Sequence, residues 1–202
     1  MNGMDIIVGT NNQGKLQEIQ TAYPKEEITF VPYTNYTHKS YDVAETGKTY
    51  TENALIKAQF YAKMLGKPVL ADDGGLEIEA FPDLLGVETA RFFKPNMTDS
   101  EKNHQLFTLF EGHESFTRGI SLHAVVAYAW PNGEYLTSEQ ELKGELTTKE
   151  VGEMGYGFDK IFYLPEKHKT LAQLPKVQRN HLSPRVSALK QLIETLKEQQ
   201  RG

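Results

Sequence analysis

Ile6-Ile7-Val8-Gly9-Thr10-Asn11-Asn12-Gln13-Gly14-Lys15-Leu16, running on to Ile19 and Tyr23, is the stretch that decides the fold. Three apolar residues in a row read as a buried strand. The polar run Thr10 to Lys15 then reads as a turn, and Leu16, Ile19 and Tyr23 recur at helical spacing. Strand, loop and helix therefore follow one another at once, and the rest of the chain repeats that grammar. Ile28 to Tyr33 reads as a second strand, and Thr34 to Thr49 as a long polar connection. Ala54, Ala58, Tyr61 and Leu65 mark one face of a helix that stops at Gly66 and Pro68. Val69-Leu70-Ala71 reads as the next strand, ending in Asp72-Asp73-Gly74-Gly75.

Thr98 with Glu101 is a capping-box signal ahead of Leu106, Phe107 and Phe110. Ile120, Leu122, Ala124, Val126, Tyr128 and Trp130 alternate as a strand does, and Pro131-Asn132-Gly133 turns it into a hairpin. Ser183-Pro184 suits an N-cap and first-turn pair for a last helix carrying Val186, Leu189, Ile193 and Leu196. The order β-α-β-α-β, then an antiparallel meander, then a helix, predicts an α/β fold with a mixed central sheet flanked by helices.

The 202 residues suit one domain, or one domain with two lobes. A chain of this size buries roughly 70% of its unfolded surface, so its core needs no staples. It has no cysteine, which removes disulfides, thiolate metal sites and a thiol nucleophile. No secretion signal and no apolar run of membrane-spanning length are visible, so a cytoplasmic setting is expected. A net charge of -5 argues against a long nucleic-acid groove but leaves room for a small anionic ligand.

Four clusters have residue types that carry chemistry. Thr10, Asn11, Asn12, Gln13, Gly14 and Lys15 form a Gly-bearing loop before a helix, where backbone N–H groups and a lysine attract phosphate. An Asn-capped turn with a solvated Lys15–Glu18 pair is the competing reading. Asp72 and Asp73 are adjacent carboxylates at a strand end, costly to bury unless they hold a cation or a hydrogen-bond network. Magnesium, which takes one or two carboxylates plus phosphate oxygens, would suit them; an Asp-Gly turn is the alternative. Gly155-Tyr156-Gly157-Phe158-Asp159 sets aromatics among glycines, as a nucleobase slot or a bulged strand would. Lys176, Arg179 and Arg185 flank the start of the last helix, where cations oppose the helix dipole and an anion would be welcome.

In this order the clusters resemble the inosine/xanthosine triphosphate pyrophosphatase family, of which the chain looks like a somewhat divergent member. The resemblance covers Thr10 to Lys15, Glu52-Asn53-Ala54 with Lys57-Ala58, Ala71 to Leu76, Gly86 with Thr89-Ala90-Arg91, Gly155 to Phe162, Thr170 with Ala172-Gln173-Leu174, and Arg185 with Ala188-Leu189. It implies an elongated two-lobed fold with a cleft active site, a homodimer, and hydrolysis of non-standard purine triphosphates to monophosphate and pyrophosphate.

By position, the resemblance makes Thr10 to Lys15 the triphosphate loop, with Lys15 catalytic. Asp73 becomes the general base and a magnesium ligand, with Asp72 beside it and Glu45 as a further ligand. Tyr156, Gly157, Phe158 and Asp159 frame base and sugar, Arg179 takes the place of the family's lysine, and Arg185 contacts the purine. Gly74 stands where the family has serine, Pro184 where it has histidine, and Ala44 where it has a metal-site acid. These departures keep two alternatives in view: a relative acting on another nucleotide, and a weakly catalytic nucleotide-binding protein.

Overall fold

The computed structural model describes residues 3–199. β1 (Met4–Val8) lies between β2 (Ile28–Pro32) and β3 (Val69–Ile78), parallel to both. Ile6, Ile7 and Val8 are all buried, which is why this strand is apolar throughout rather than alternating. β4 (Gly119–Ala129), β5 (Tyr135–Leu146), β6 (Phe162–Leu164) and β7 (Lys169–Thr170) complete a seven-stranded sheet of order β2-β1-β3-β4-β5-β6-β7. The pairs β5–β6 and β6–β7 are antiparallel, so the sheet is mixed, in keeping with the sequence pattern.

Local chemistry sets the helix ends. α1 (Gln13–Gln20) starts where the Asn12 side chain accepts the Lys15 N–H. α2 (Thr34–Thr37) is a single short turn inside the expected polar connection. α3 (Tyr50–Leu65) is capped by Thr49, whose hydroxyl accepts the Glu52 N–H, and stops at Gly66, which takes a left-handed φ of 61°. α4 (Thr89–Phe92) is one turn, and α5 (Asp99–Thr108) carries the full Thr98–Glu101 capping box. α6 (Lys176–Leu182) precedes α7 (Pro184–Gln199), whose first residue is a proline that has no N–H to leave unsatisfied.

Three readings are corrected by these elements. β3 does not end at Ala71: it runs through Asp72, Asp73, Gly74 and Gly75 as extended backbone, so the Asp-Gly turn is absent. Residues 155–161 form turns rather than a bulged strand, with β6 starting only at Phe162. Lys176 and Arg179 lie within a helix that has no buried residue and therefore no apolar period to betray it.

The chain divides into two compact units. The first comprises Met1–Gly74, Ala124–Gln140 and Ser183–Gly202; the second comprises Gly75–His123 and Glu141–Leu182. Each has its own core. Leu16, Ile19, Leu70, Val126, Leu189 and Ile193 belong to the first, and Leu76, Leu106, Ile120, Ile161 and Phe162 to the second. Among the described residues no helix is long and apolar enough to cross a membrane.

Leu189 has no exposed surface within the first core. Leu189→Ala should lower the unfolding free energy by about 2–5 kcal/mol, the usual cost of a buried cavity. Thr98→Ala, which removes only a cap, should cost about 1 kcal/mol. Urea denaturation at constant m-value compares the two, and equal losses would show that the site around Leu189 collapses without leaving a void.

Candidate active site

A fully buried carboxylate organises the first unit. Asp72 is 1% exposed, and its Oδ2 receives Lys15 Nζ at 3.1 Å and Arg185 Nε at 2.8 Å. Lys15 comes from the first turn of α1 and Arg185 from that of α7, so the carboxylate on β3 ties both helix starts to the sheet. Burial alone would raise its pKa, but Lys15, Arg185 and Lys57 outweigh it and hold the Asp72 carboxyl far below the usual range. Arg185 is further fixed by Glu18, which accepts from Nη1 at 2.7 Å. Ser183 closes this layer by donating to Glu18 and accepting the Val186 N–H at 3.2 Å, which caps α7.

Asp73, the next residue, lives under different constraints. It is 5% exposed, and its Oδ2 has no hydrogen-bond partner. Burial raises its pKa; Lys57 and Lys15 oppose this while Glu45 adds to it, and the net direction is upward. The Asn53 amide lies near enough to favour the ionised form, yet its Nδ2 also lacks a completed hydrogen bond. Asn53 Oδ1 is taken by the Gly47 N–H at 2.8 Å, which turns the amide's donor end away from that loop. A Cβ on Gly47 would stand 2.7 Å from the same oxygen, so only glycine permits this approach.

Lys57, one helical turn beyond Asn53 on α3, donates to Glu45. Burial works against its charge, but Asp72, Glu45 and Asp73 together hold its pKa above the ordinary lysine value. Lys15 goes the other way: burial, with Arg185 and Lys57 nearby, outweighs Asp72 and Asp73 and lowers it. Three cations thus meet Glu18, Glu45, Asp72 and Asp73 in one cluster.

The loop ahead of α1 is ordered by its own side chains. Thr10 Oγ1 accepts the Asn12 N–H at 3.1 Å, and Asn12 Oδ1 accepts that of Lys15 at 3.0 Å. The first-turn N–H groups of Gln13 and Gly14 have no acceptor within the helix, as at any helix start.

The expected magnesium site can be judged on these atoms. The orphaned Asp73 oxygen, with Glu45 close by, fits a hard cation that takes oxygen ligands. Asp72 fits less well, because its Oδ2 already serves two cations. Among the described residues no three acidic or histidine side chains converge to hold an ion unaided. Magnesium asks for fewer, since phosphate oxygens and water complete its shell.

In the second unit the Gly155–Asp159 turns are held by carboxylates. Asp159 Oδ2 accepts the Tyr156 N–H at 3.2 Å, and Asp99 Oδ2 from α5 accepts that of Gly157 at 2.7 Å. Phe158 packs into the core beside Phe93, with ring centroids 6.0 Å apart, whereas Tyr156 is 42% exposed. The two rings therefore differ in setting and do not form a matched pair. Arg179 Nε lies 3.7 Å from Asp159 and its Nη1 donates to the Leu174 carbonyl at 2.7 Å. Pro184 is buried at the start of α7, and Gly74 sits inside β3.

Reading the sequence by clusters missed Asn53, Lys57 and Ser183 as members of the charged network. Asn53 and Lys57 are spaced four apart on α3, and that spacing is the signal that could have put them on one face. Ser183 gave only a capping signal.

Comparison with known proteins supplies the lineage. The model described as the Ham1 family matches residues 6–195. A dITP/XTP pyrophosphatase of Coxiella burnetii is 36% identical over 197 residues, spanning 96% of this chain and 98% of that relative. The dITP/XTP pyrophosphatase of a Streptococcus pyogenes strain is 36% identical over 196 residues, and the chain spans 58% of its length. Among solved structures, a HAM1 protein from Coxiella burnetii superposes with a TM-score of 0.85 at 36% identity, covering 96% of this chain and 99% of that one. The resemblance carried by the seven short motifs is therefore one of descent, and the chain belongs to the Ham1 family.

Proposed function

We propose that the chain is a magnesium-dependent nucleoside-triphosphate pyrophosphatase that acts on deaminated purine nucleotides, releasing pyrophosphate and a monophosphate. The observation that carries this reading is the pair of adjacent buried carboxylates in opposite settings, one held by two cations and the other in contact with none. Asp72 is locked in its ionised form by Lys15 and Arg185, whereas Asp73 is buried, partnerless at Oδ2 and more basic than an ordinary aspartate. Environments that separate two titrating groups in this way assign them separate roles. The names of the relatives, dITP/XTP pyrophosphatases, supply the substrate class.

In this reading Lys15 and the first-turn N–H groups of α1 hold the triphosphate. Magnesium, when bound at Asp73 and Glu45, would offset phosphate charge and stabilise the leaving pyrophosphate. Asp73 orients a water towards the α-phosphorus and takes its proton. The new P–O bond forms as the bridge between the α- and β-phosphates breaks, and the electron pair leaves with pyrophosphate. Asp72 anchors the cations rather than reacting. The work is positioning and charge compensation, as in phosphoryl transfer generally.

Base selection is assigned to Arg185. Two of its N–H groups are committed to Asp72 and Glu18. The guanidinium is a donor-only group, which matches the acceptor oxygen of a six-oxo purine. Pro184 contributes no donor, so preference for the oxo purine rests on fewer contacts.

The deciding assay measures products from inosine, xanthosine, adenosine and guanosine triphosphates. Pyrophosphate should appear only with a divalent metal and fastest from the first two; orthophosphate as first product, or full turnover in excess chelator, would overturn the mechanism. Asp73→Asn should cut kcat by about 10²–10⁴-fold, the range of general acid–base catalysis. If it kept more than about a tenth of the activity, the base would lie elsewhere.

Arg185→Ala should slow every triphosphate, because Asp72 loses a cation, and should narrow the inosine-to-adenosine ratio of kcat/KM by about tenfold. A uniform slowing with an unchanged ratio would leave Arg185 as an anchor of Asp72 and remove it from base reading.

A further inference from the structure

Tyr33 is a tyrosine with no exposed surface, its ring 4.2 Å from that of Tyr61. A hydroxyl buried that deeply needs partners. It has two. The Tyr33 hydroxyl donates to Asn11 Oδ1 at 2.5 Å and accepts the Tyr41 N–H at 2.9 Å. Asn11 Nδ2 then donates to the Tyr41 carbonyl at 2.7 Å, closing a ring of three hydrogen bonds. The direction of each bond is forced. Because the Tyr41 carbonyl can only accept, Asn11 must turn its amino group to it, which leaves Oδ1 as the acceptor for the Tyr33 proton. Tyr61 adds a donor to the same carbonyl at 3.2 Å.

The ring joins two segments that the chain keeps well apart. Asn11 lies in the loop before α1; Tyr41 lies in the connection that leads to Glu45 and Gly47. Tyr33 itself is anchored, since its N–H continues the β1–β2 pairing by donating to the Val8 carbonyl at 3.0 Å. Tyr61 packs over Gly9, where a Cβ would come within 2.4 Å of the ring, so the residue that opens the loop is clamped as well. Asn11 is exposed, and without the ring its side chain would be free to rotate in water.

We propose that Tyr33 is a positioning residue for the loop Thr10–Lys15: through one hydroxyl it latches Asn11 to the Tyr41 backbone, so that the loop and the segment bearing Glu45 are held as a single preorganised surface for a polyphosphate. The claim about polyphosphate rests on the function proposed above; the latch itself does not. Preorganisation of this kind lowers the ordering cost of binding and leaves the chemical step alone.

Tyr33→Phe deletes the hydroxyl and keeps the ring. In that variant the KM for inosine triphosphate should rise about tenfold while kcat stays within about twofold, since removing a binding contact acts on KM. The dissociation constant for inorganic triphosphate with magnesium, measured by calorimetry, should rise by the same factor. Amide exchange should quicken at 11–15 and 41–47 and be unchanged in the β1–β2 pairing. A loss confined to kcat, or unchanged triphosphate affinity, overturns the proposal, because simple instability lowers the active fraction and leaves KM alone.

Adding Asn11→Ala to Tyr33→Phe should cost less than the sum of the two single losses, as expected of partners in one network; full additivity also overturns it. Should Tyr33→Phe not fold, Asn11→Ala alone must quicken exchange at 41–47, and no change there refutes the latch. If the unmodified chain binds no triphosphate, the proposed function falls, and the exchange measurement decides the latch by itself.

Discussion

An ionised carboxylate stripped of water has to be compensated nearby, and at Asp72 the compensation is recruited from three helices of the first unit. Lys15 from α1 and Arg185 from α7 touch it, and Lys57 from α3 acts on it through space. Removing either contact would leave a buried charge short of a partner, which costs far more than an exposed ion pair ever returns. The position of α7 against β3 is therefore an electrostatic requirement as well as a matter of packing Leu189 and Ile193. Glu18 and Ser183 extend the requirement outward, because an arginine shared by two acids keeps both of them fixed.

The same demand explains why Asp73 differs. Lys15 and Arg185 touch Asp72, whereas Asp73 feels Lys57 and Lys15 only through space, and burial together with Glu45 outweighs them. The outcome is one acid that is inert because it is satisfied and one that is basic because it is not. A buried, partnerless carboxylate oxygen is costly in a resting protein. The Asn53 amide is the nearest neutral donor, and it favours the ionised form without offsetting burial.

Much of the fold was legible because it is local. The Thr98 cap, the stop at Gly66 and the Ser183-Pro184 start are short-range chemistry, and each falls where the pattern put it. The passage of β3 through Asp72 and Asp73 was not legible. Two acids and two glycines read as a turn unless partners bury them, and the arginine that does so lies 113 residues away. α6 escaped for the opposite reason, having no buried face to give a period. The Tyr33–Asn11–Tyr41 ring was hidden as well, because a single tyrosine after a strand says nothing about where its hydroxyl points.

Two of the residues that depart from the family pattern make sense as pieces of scaffold. Arg179, where a lysine is usual, lies near Asp159 while donating to the Leu174 carbonyl. A forked, planar guanidinium can face both acceptors at once, which a single ammonium on a flexible stem does less well. Asp159 in turn accepts the Tyr156 N–H, and a Cβ on Gly155 would come within 1.9 Å of that carboxylate, so the turn tolerates no side chain there. Pro184 sets the first turn of α7 rigidly, directly before the arginine that neutralises Asp72. A histidine at that position would add a donor and would also free a backbone torsion that proline fixes. Proline at this position thus gives a stiff mount to the arginine that holds Asp72.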